Sequence, residues 1–313
     1  MKIYHSINDF KAVKNAIVTI GTFDGIHLGH QAILQKMVDE AHQTGGETVV
    51  ITFYPHPRFV LHIESANLKL ITNQEKKIAR FREIGIDNLI IIKFTKEFSN
   101  TSSEDFIRDY VVEKISPVKL VVGYDHHFGK GRSGDFKLLH DLGQQFHFEV
   151  ERVLLQDVEN IAVSSTKIRT ALESGDVSKA NRLLGYEYTI CGKVVHGNEI
   201  GRTIGFPTAN IATAHEYKII AVSGVFACRV EWNGQHFDGM GNIGYRPTVS
   251  DGQLTVEAHI FDFDRFIYDE EICISFIDRI RNEKKFENLE ALRQQLVLDK
   301  EQVKKILASY NTK

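Results

Sequence analysis

What most constrains the fold of this chain is a change of periodicity beyond its midpoint. Up to about residue 186, short apolar runs alternate with helical patterns: "AIVTI" (16–20), "TVVITF" (48–53), "NLIIIKF" (88–94), "KLVVGY" (119–124) and "FEVERVLL" (148–155). One intervening helix is expected to turn Ile33, Leu34, Met37, Val38 and Ala41 inward, and another opens at Ser102 with a capping-box pattern to Asp105. Strands alternating with helices predict an α/β domain with a mostly parallel, doubly wound sheet. Beyond that point β-runs and turns take over, in "YTICGKVVH", "VFACRVEW", "HFDGMGNIG", "LTVEAHIF" and "EICISFI". The stretch "WNGQ" (232–235) predicts a hairpin, because Asn-Gly readily takes the positive φ values of a two-residue turn. A small antiparallel barrel or sandwich follows, closed by an amphipathic helix near 288–308. At 313 residues the chain is long enough for two cores. The expected domains are 1–186 and 187–313, divided near "LLGYEY".

Charge and cysteine usage narrow the class. Thirty-eight basic against forty-one acidic side chains leave a formal charge of −3, without a long lysine or arginine run. Neither nucleic acid nor an anionic membrane is favoured as a bulk partner, and small molecules are the expected ones. Cys191, Cys228 and Cys273 are far apart and odd in number, a poor disulfide framework, so a reduced cytoplasmic setting is expected. The start "MKIYHSINDF" lacks the apolar core of a signal peptide, and no apolar stretch is long enough to span a membrane.

The chemistry concentrates in "GTFDGIHLGH" (21–30), directly after the first strand. In an open parallel sheet, ligands bind beyond the carboxyl ends of the strands. Gly21, Gly25 and Gly29 let backbone amides approach phosphate oxygens, and the following helix offers its positive end. His27 and His30 are then placed to meet the charge that develops during phosphate transfer. Two other readings stay open: the histidines cap a helix, or, three apart on one face, they bind a metal. "GKGRSG" (129–134) satisfies G-x-G-x-x-G, with Glu149 and Glu151 downstream, but follows the fourth expected strand and not the first.

These residues carry a resemblance. "HLGH" within its ten-residue stretch resembles the signature of the nucleotidyltransferase superfamily, in its bacterial FAD synthetase branch. "TFYPHP" (52–57), "GYDHHFGKGRSGD" (123–135) and "VSSTKIR" (163–169) agree with it in order. "GRTIGFPTANI" (201–211), "GVFA" (224–227), "GNIGYRPT" (241–248) and "VEAHIFDFD" (256–264) resemble the riboflavin kinase module. Together they cover almost the whole chain, which is similar to the family of bifunctional bacterial riboflavin kinase/FAD synthetases. The resemblance implies a Rossmann-like nucleotidyltransferase domain joined to a kinase barrel. It also implies two ATP-dependent steps, riboflavin to FMN and FMN to FAD, with Mg²⁺.

Site residues follow from the same resemblance. His27, His30 and Arg169 are implied as catalytic groups of adenylyl transfer. Gly21, Phe23, Asp24, Gly25, Ser164 and Thr166 are implied in ATP and phosphate binding, as are Gly205, Pro207 and Thr208 in the second half. Asp125, Phe128, Arg279 and Arg281 are implied in flavin binding, although His127 stands where the family more often carries arginine. Thr208 and Asn210 are implied as Mg²⁺ ligands, consistent with that ion's preference for hard oxygens. Glu257 is implied as the base for the ribityl hydroxyl; on residue pattern alone it reads by default as a plain solvent-facing strand glutamate. The alternatives are a single-activity nucleotidyltransferase with a non-catalytic flavin-binding barrel, and a non-catalytic flavin store.

Overall fold

The computed structural model describes residues 1–61, 68–153, 163–213, 217–245 and 254–310. It divides into two compact units, Met1–Ser165 and Thr166–Lys313. In the first unit six parallel strands form one sheet: β1 (Lys2–Tyr4), β2 (Ile17–Ile20), β3 (Thr48–Tyr54), β4 (Asn88–Lys93), β5 (Lys119–Gly123) and β6 (Glu149–Val153), in the order β1-β4-β3-β2-β5-β6. Five of these answer the apolar runs. The sixth, β1, has three residues, too few to show a period, and exists through its pairing with β4. The end of the run "FEVERVLL" lies outside the described residues.

Strands β2 to β5 are nearly continuous in apolar side chains because both faces of the sheet are covered. On one face Ile33, Leu34, Met37, Val38 and Ala41 of helix Leu28–Thr44 pack inward, as their spacing predicts. The other face is filled by Val18, Ile51, Ile90, Leu120 and the aromatic group around Phe106. Ser102 caps the helical segment 103–115: its hydroxyl accepts from Asp105 N at 3.0 Å. Strand β2 pairs with β3 on one side and β5 on the other, so the chain reverses direction across the sheet beside it. The stretch "GTFDGIHLGH" leaves the sheet at this switch point.

The second unit is a closed antiparallel barrel of β7 (Tyr188–Val195), β8 (Ala209–Thr213), β9 (Gly224–Trp232), β10 (Gln235–Tyr245), β11 (Leu254–Ile260) and β12 (Glu271–Arg281), ordered β10-β11-β8-β7-β12-β9. The hairpin at "WNGQ" forms: Trp232 pairs with Gln235 across Asn233 (φ 48°) and Gly234 (φ 72°). Helix Leu289–Tyr310 lays Val303 and Leu307 over Phe206, Met240 and Ile277. Helices Ser165–Ser174 and Val177–Leu184 precede the barrel. The buried amide of Asn181 joins the second helix to it, donating to Phe276 O at 2.8 Å and accepting from Tyr188 N at 2.7 Å.

One expectation from the cysteines is corrected. Cys191 on β7 and Cys273 on β12 are register partners with Cα atoms 4.0 Å apart, and they are joined by a disulfide. Cys228 is a buried free thiol. The 82-residue separation of the bridged pair conceals a contact that the strand register creates.

Candidate active sites

In the first unit the turn after β2 is built under tension. Phe23 (φ 50°), Gly25 (φ 89°) and Ile26 (φ 34°) all take positive φ, and two of the three are bulky side chains. Such conformations persist only where the surroundings impose them. Here the clamps are explicit. The buried carboxylate of Asp24 accepts from Ile71 N at 3.0 Å and Thr72 N at 3.2 Å, and Gly25 N donates to Thr72 Oγ1 at 3.1 Å. Gln31 Nε2 donates to Ile26 O at 2.7 Å, and Ser165 Oγ to Asp24 O at 2.9 Å. The Asp24 carboxylate thus shapes the turn from behind.

The turn delivers His27 and His30 as a stacked pair, ring centroids 3.7 Å apart and planes 16° from parallel. His27 is the N-cap of the helix: its Nδ1 accepts from His30 N at 3.4 Å. The capping reading of this histidine is therefore correct as geometry, and it has a chemical consequence. With Nδ1 accepting, the proton of neutral His27 sits on Nε2, which is left as the donor. Burial pushes the His27 pKa down to about 4, against the opposing charges of Asp125 and Asp24. Burial, with the charges of His27 and Lys77, holds His30 well below the usual imidazole range. Both rings are neutral near pH 7. His30 Nδ1 is buried and has no hydrogen-bond partner among the described residues.

Of the other residues singled out in this half, Asp125 acts on His27 through its charge, and Ser164 and Thr166 flank Ser165, which bonds the turn. Ser164 lies just before helix Ser165–Ser174, and Thr166 and Arg169 lie on it. Asp125 is exposed, whereas Phe128 is buried in the sheet core, 6.3 Å from Phe106. "GKGRSG" is a tight loop closed by reciprocal backbone bonds between Phe128 and Gly134. It is remote in the chain from the first strand-to-helix turn that dinucleotide binding requires.

In the barrel, Glu257 sits on β11 directly across from Asn210 on β8. Its Oε2 accepts from Thr208 Oγ1 at 2.8 Å and its Oε1 from Asn242 Nδ2 at 3.1 Å. Two residues on, buried His259 meets Pro207 O through Nδ1 at 2.8 Å, tying the "FPTAN" segment to β11 a second time. Gly205, with φ 82°, makes the turn before it. These side chains line a cavity of 510 Å³ that continues over Phe206, Val225, Met240, Phe286 and Leu296. A second cleft of 180 Å³ shares Thr208 and Glu199 with the first and is bordered by Phe266 and Tyr268. There His196 stacks on Tyr268 at 3.9 Å, and the Arg202 guanidinium lies 5.1 Å over Phe266.

Arg281 lines the larger cavity, held by Asp299: Nε and Nη2 donate to Oδ2 at 2.9 and 2.7 Å, and Asp299 is 2 % exposed. Arg279 donates to Ser223 O. Among the described residues no group of three His, Cys, Asp or Glu side chains is placed to hold a metal.

A family model described as FAD synthetase matches residues 9–167, and one described as riboflavin kinase matches 184–307. A bifunctional riboflavin kinase/FMN adenylyltransferase of Listeria monocytogenes is 39% identical, over 94% of this chain and 93% of its own length. The chain belongs to the bifunctional riboflavin kinase/FMN adenylyltransferase family. The family member from Bacillus subtilis is 37% identical over 96% of this chain and 97% of its own. A crystal structure from Streptococcus pneumoniae, described as a macrolide-efflux protein, superposes with a TM-score of 0.88 at 30% identity, covering 97% of this chain and 98% of that one.

Within this family frame, sequence reasoning passed over Lys77, Asn242, His259 and the His196–Tyr268 pair. Asn242 was within reach, since it lies in the quoted "GNIGYRPT". Its role shows only when β10 pairs with β11 and sets it opposite Glu257.

Proposed function

We propose that this chain performs adenylyl transfer at the His27/His30 turn and phosphoryl transfer at the Thr208–Glu257 pair. The family's two reactions are phosphorylation of riboflavin by ATP to FMN, and transfer of the adenylyl group of a second ATP to FMN with release of pyrophosphate. ATP, riboflavin, FMN and FAD are accordingly its substrates and products. We assign the first-named activity to residues 187–313 and the second to 1–186. The compartment we favour is the cytoplasm, on the family's use of ATP and against the Cys191–Cys273 disulfide, which removes the cysteine argument for it; no described helix is long and apolar enough to cross a membrane.

In adenylyl transfer the attacking FMN phosphate is already anionic, so no general base is needed. The site must align two anions and relieve their repulsion. The Nε2–H of His27, fixed by its capping Nδ1, is a preorganised donor for that purpose. His30 stacks behind it, and the resemblance adds Ser164, Thr166 and Arg169 as phosphate contacts.

The kinase step is different, because a neutral ribityl hydroxyl must lose its proton as it attacks the terminal phosphorus of ATP. Glu257 accepts that proton, and Asn242 and Thr208 fix the plane of its carboxylate beforehand. This doubly held carboxylate is the observation that carries the reading. Thr208 and Asn210 present hard oxygens beside it, which fits Mg²⁺: the Thr208 proton is given to Glu257, leaving oxygen lone pairs free for a cation. When bound, the ion supplies neutralisation of the ATP phosphates. The larger, apolar-walled cavity suits the flavin ring, and the smaller aromatic cleft suits adenine.

Incubating the pure protein with riboflavin, ATP and Mg²⁺ and separating the flavins tests this directly. FMN followed by FAD is expected. FAD from supplied FMN, with riboflavin left untouched, would replace this reading by the single-activity alternative.

A further inference from the structure

Lys77 is 7 % exposed, and the reactions above leave it without a role. Lysine is almost never buried unless something holds it. Two local forces oppose its charge here. It lies in the first turn of helix Gln74–Ile84, capped by Asn73, where the helix dipole disfavours a cation. Burial pushes its pKa down to about 8, and only the charge of Asp24 opposes that shift. The Asp24 carboxylate is itself engaged by the amides of Ile71 and Thr72.

The ammonium nevertheless has a definite place. It donates to Thr22 O at 3.2 Å, inside the strained turn, and to Thr52 Oγ1 at 3.3 Å, on β3. It is close enough to the His27/His30 stack for its charge to disfavour protonation of His30. The titratable groups that face it are Asp24, from the turn, and His30, from helix Leu28–Thr44 with His27 stacked upon it. Thr52 Oγ1 itself donates to Thr22 O at 3.4 Å, so joining the two does not require a cation. A cation kept against both burial and the helix dipole indicates that the charge itself is used, and an anion brought to the histidine turn is what would use it.

We propose that Lys77 is a positioning residue for adenylyl transfer: it fixes the Thr22 carbonyl, and with it the Gly21–Gly25 turn, and sets one buried positive charge behind the two histidines for the anionic phosphates of the nucleotide. This rests on the assignment of adenylyl transfer to the His27/His30 turn. Because Lys77 acts from behind the turn, its removal alters how well the phosphates are held and leaves the reacting groups in place.

The test is kcat/KM for ATP in FAD formation from supplied FMN, measured from about pH 6 to about pH 10, since this parameter reports groups of the free enzyme. In the parent protein it should fall as pH rises through about 8, where Lys77 loses its charge. Lys77→Met and Lys77→Gln should each lower it by about 10²-fold and lack that alkaline fall. Lys77→Arg, whose guanidinium does not titrate in this range, should recover part of the rate with a flat alkaline limb. FMN formation from riboflavin by the same molecules reports folding and should not change.

A purely structural lysine would leave the pH profile unaltered in every variant, and full rescue by Lys77→Gln would show that only the tie matters; either result overturns the proposal. So does a parent profile without the fall near pH 8, which requires no variant at all. His30→Ala run in parallel separates the two levels. If His30→Ala abolishes FAD formation and Lys77→Met does not, Lys77 alone has been misread. If His30→Ala is also silent, the histidine turn is not the adenylyl site.

Discussion

Thr208 Oγ1 donates to Glu257 Oε2 at 2.8 Å, joining the residue just before β8 to the middle of β11. With Asn242 of β10 on the other oxygen, three neighbouring segments of the barrel converge on one half-buried carboxylate. A solvent-facing strand glutamate has no need of two side-chain donors. The arrangement fixes the carboxylate in advance, which is what a base requires for a proton transfer timed with attack.

Glu257→Gln keeps the size and much of the packing but removes the proton acceptor. It should cut FMN formation by about 10² to 10⁴-fold, or about 3 to 5 kcal/mol on the barrier. FAD formation from supplied FMN should stay at the parental rate. Measuring the two products side by side separates lost chemistry from misfolding, and normal riboflavin phosphorylation by the variant would remove Glu257 from the mechanism.

The Arg281–Asp299 pair anchors helix Leu289–Tyr310 to the end of β12. Asp299→Ala leaves a guanidinium only 20% exposed without its partner, and breaking a buried pair of this kind costs about 3 to 5 kcal/mol. Trp232, the single tryptophan of the chain, lies in the barrel, so its fluorescence in a urea titration reports this unit. A lower midpoint at an unchanged slope is the expected result.

Asn181 belongs to a helix that a cut at 187 would remove. A fragment of residues 166–313 should fold and phosphorylate riboflavin without making FAD. A fragment of 187–313 leaves Phe276 O and Tyr188 N without the Asn181 amide and strips from the barrel the helix that carries buried Leu183 and Leu184. It should be less stable by about 2 to 4 kcal/mol. Equal urea midpoints for the two fragments would show that the helix contributes nothing to the barrel.

Acid should weaken the first unit through its buried imidazoles. Burial lowers the His27 and His126 pKa values to about 4 from the ordinary 6.5, and His30 shifts the same way. Between those values the unfolded chain binds more protons than the folded one, so stability falls as pH drops from about 6.5 towards 4. His27 alone accounts for up to about 3 kcal/mol. Urea unfolding followed by far-ultraviolet circular dichroism at the two ends of this window measures the loss, and His27→Gln should reduce it.

Much of this protein is legible along the chain because it depends on neighbours in sequence. Apolar spacing in helix Leu28–Thr44 names its five buried residues, Asn-Gly at 233–234 names its turn, and Ser102 names its cap. The histidine turn and the "FPTAN" segment stand out in the sequence too, but taken alone their residues fit a capped helix start and a proline turn into a strand equally well. The reading fails where a period is too short to register, as at β1.

The sequence by itself determined two units of different architecture, a turn rich in glycine and histidine after the first strand it shows, and the oxygen-rich motif of the barrel. These rest on local propensity and period, which any stretch of chain expresses alone. The tertiary structure decided which distant residues complete those motifs. Lys77 reaches Thr22 from 55 residues away, Asn242 meets Glu257 across two strands, Asp299 closes on Arg281 from a helix, and Cys273 finds Cys191 through strand register. Such contacts have no period, because they arise from the crossing of separate elements in space, and only a folded chain defines them.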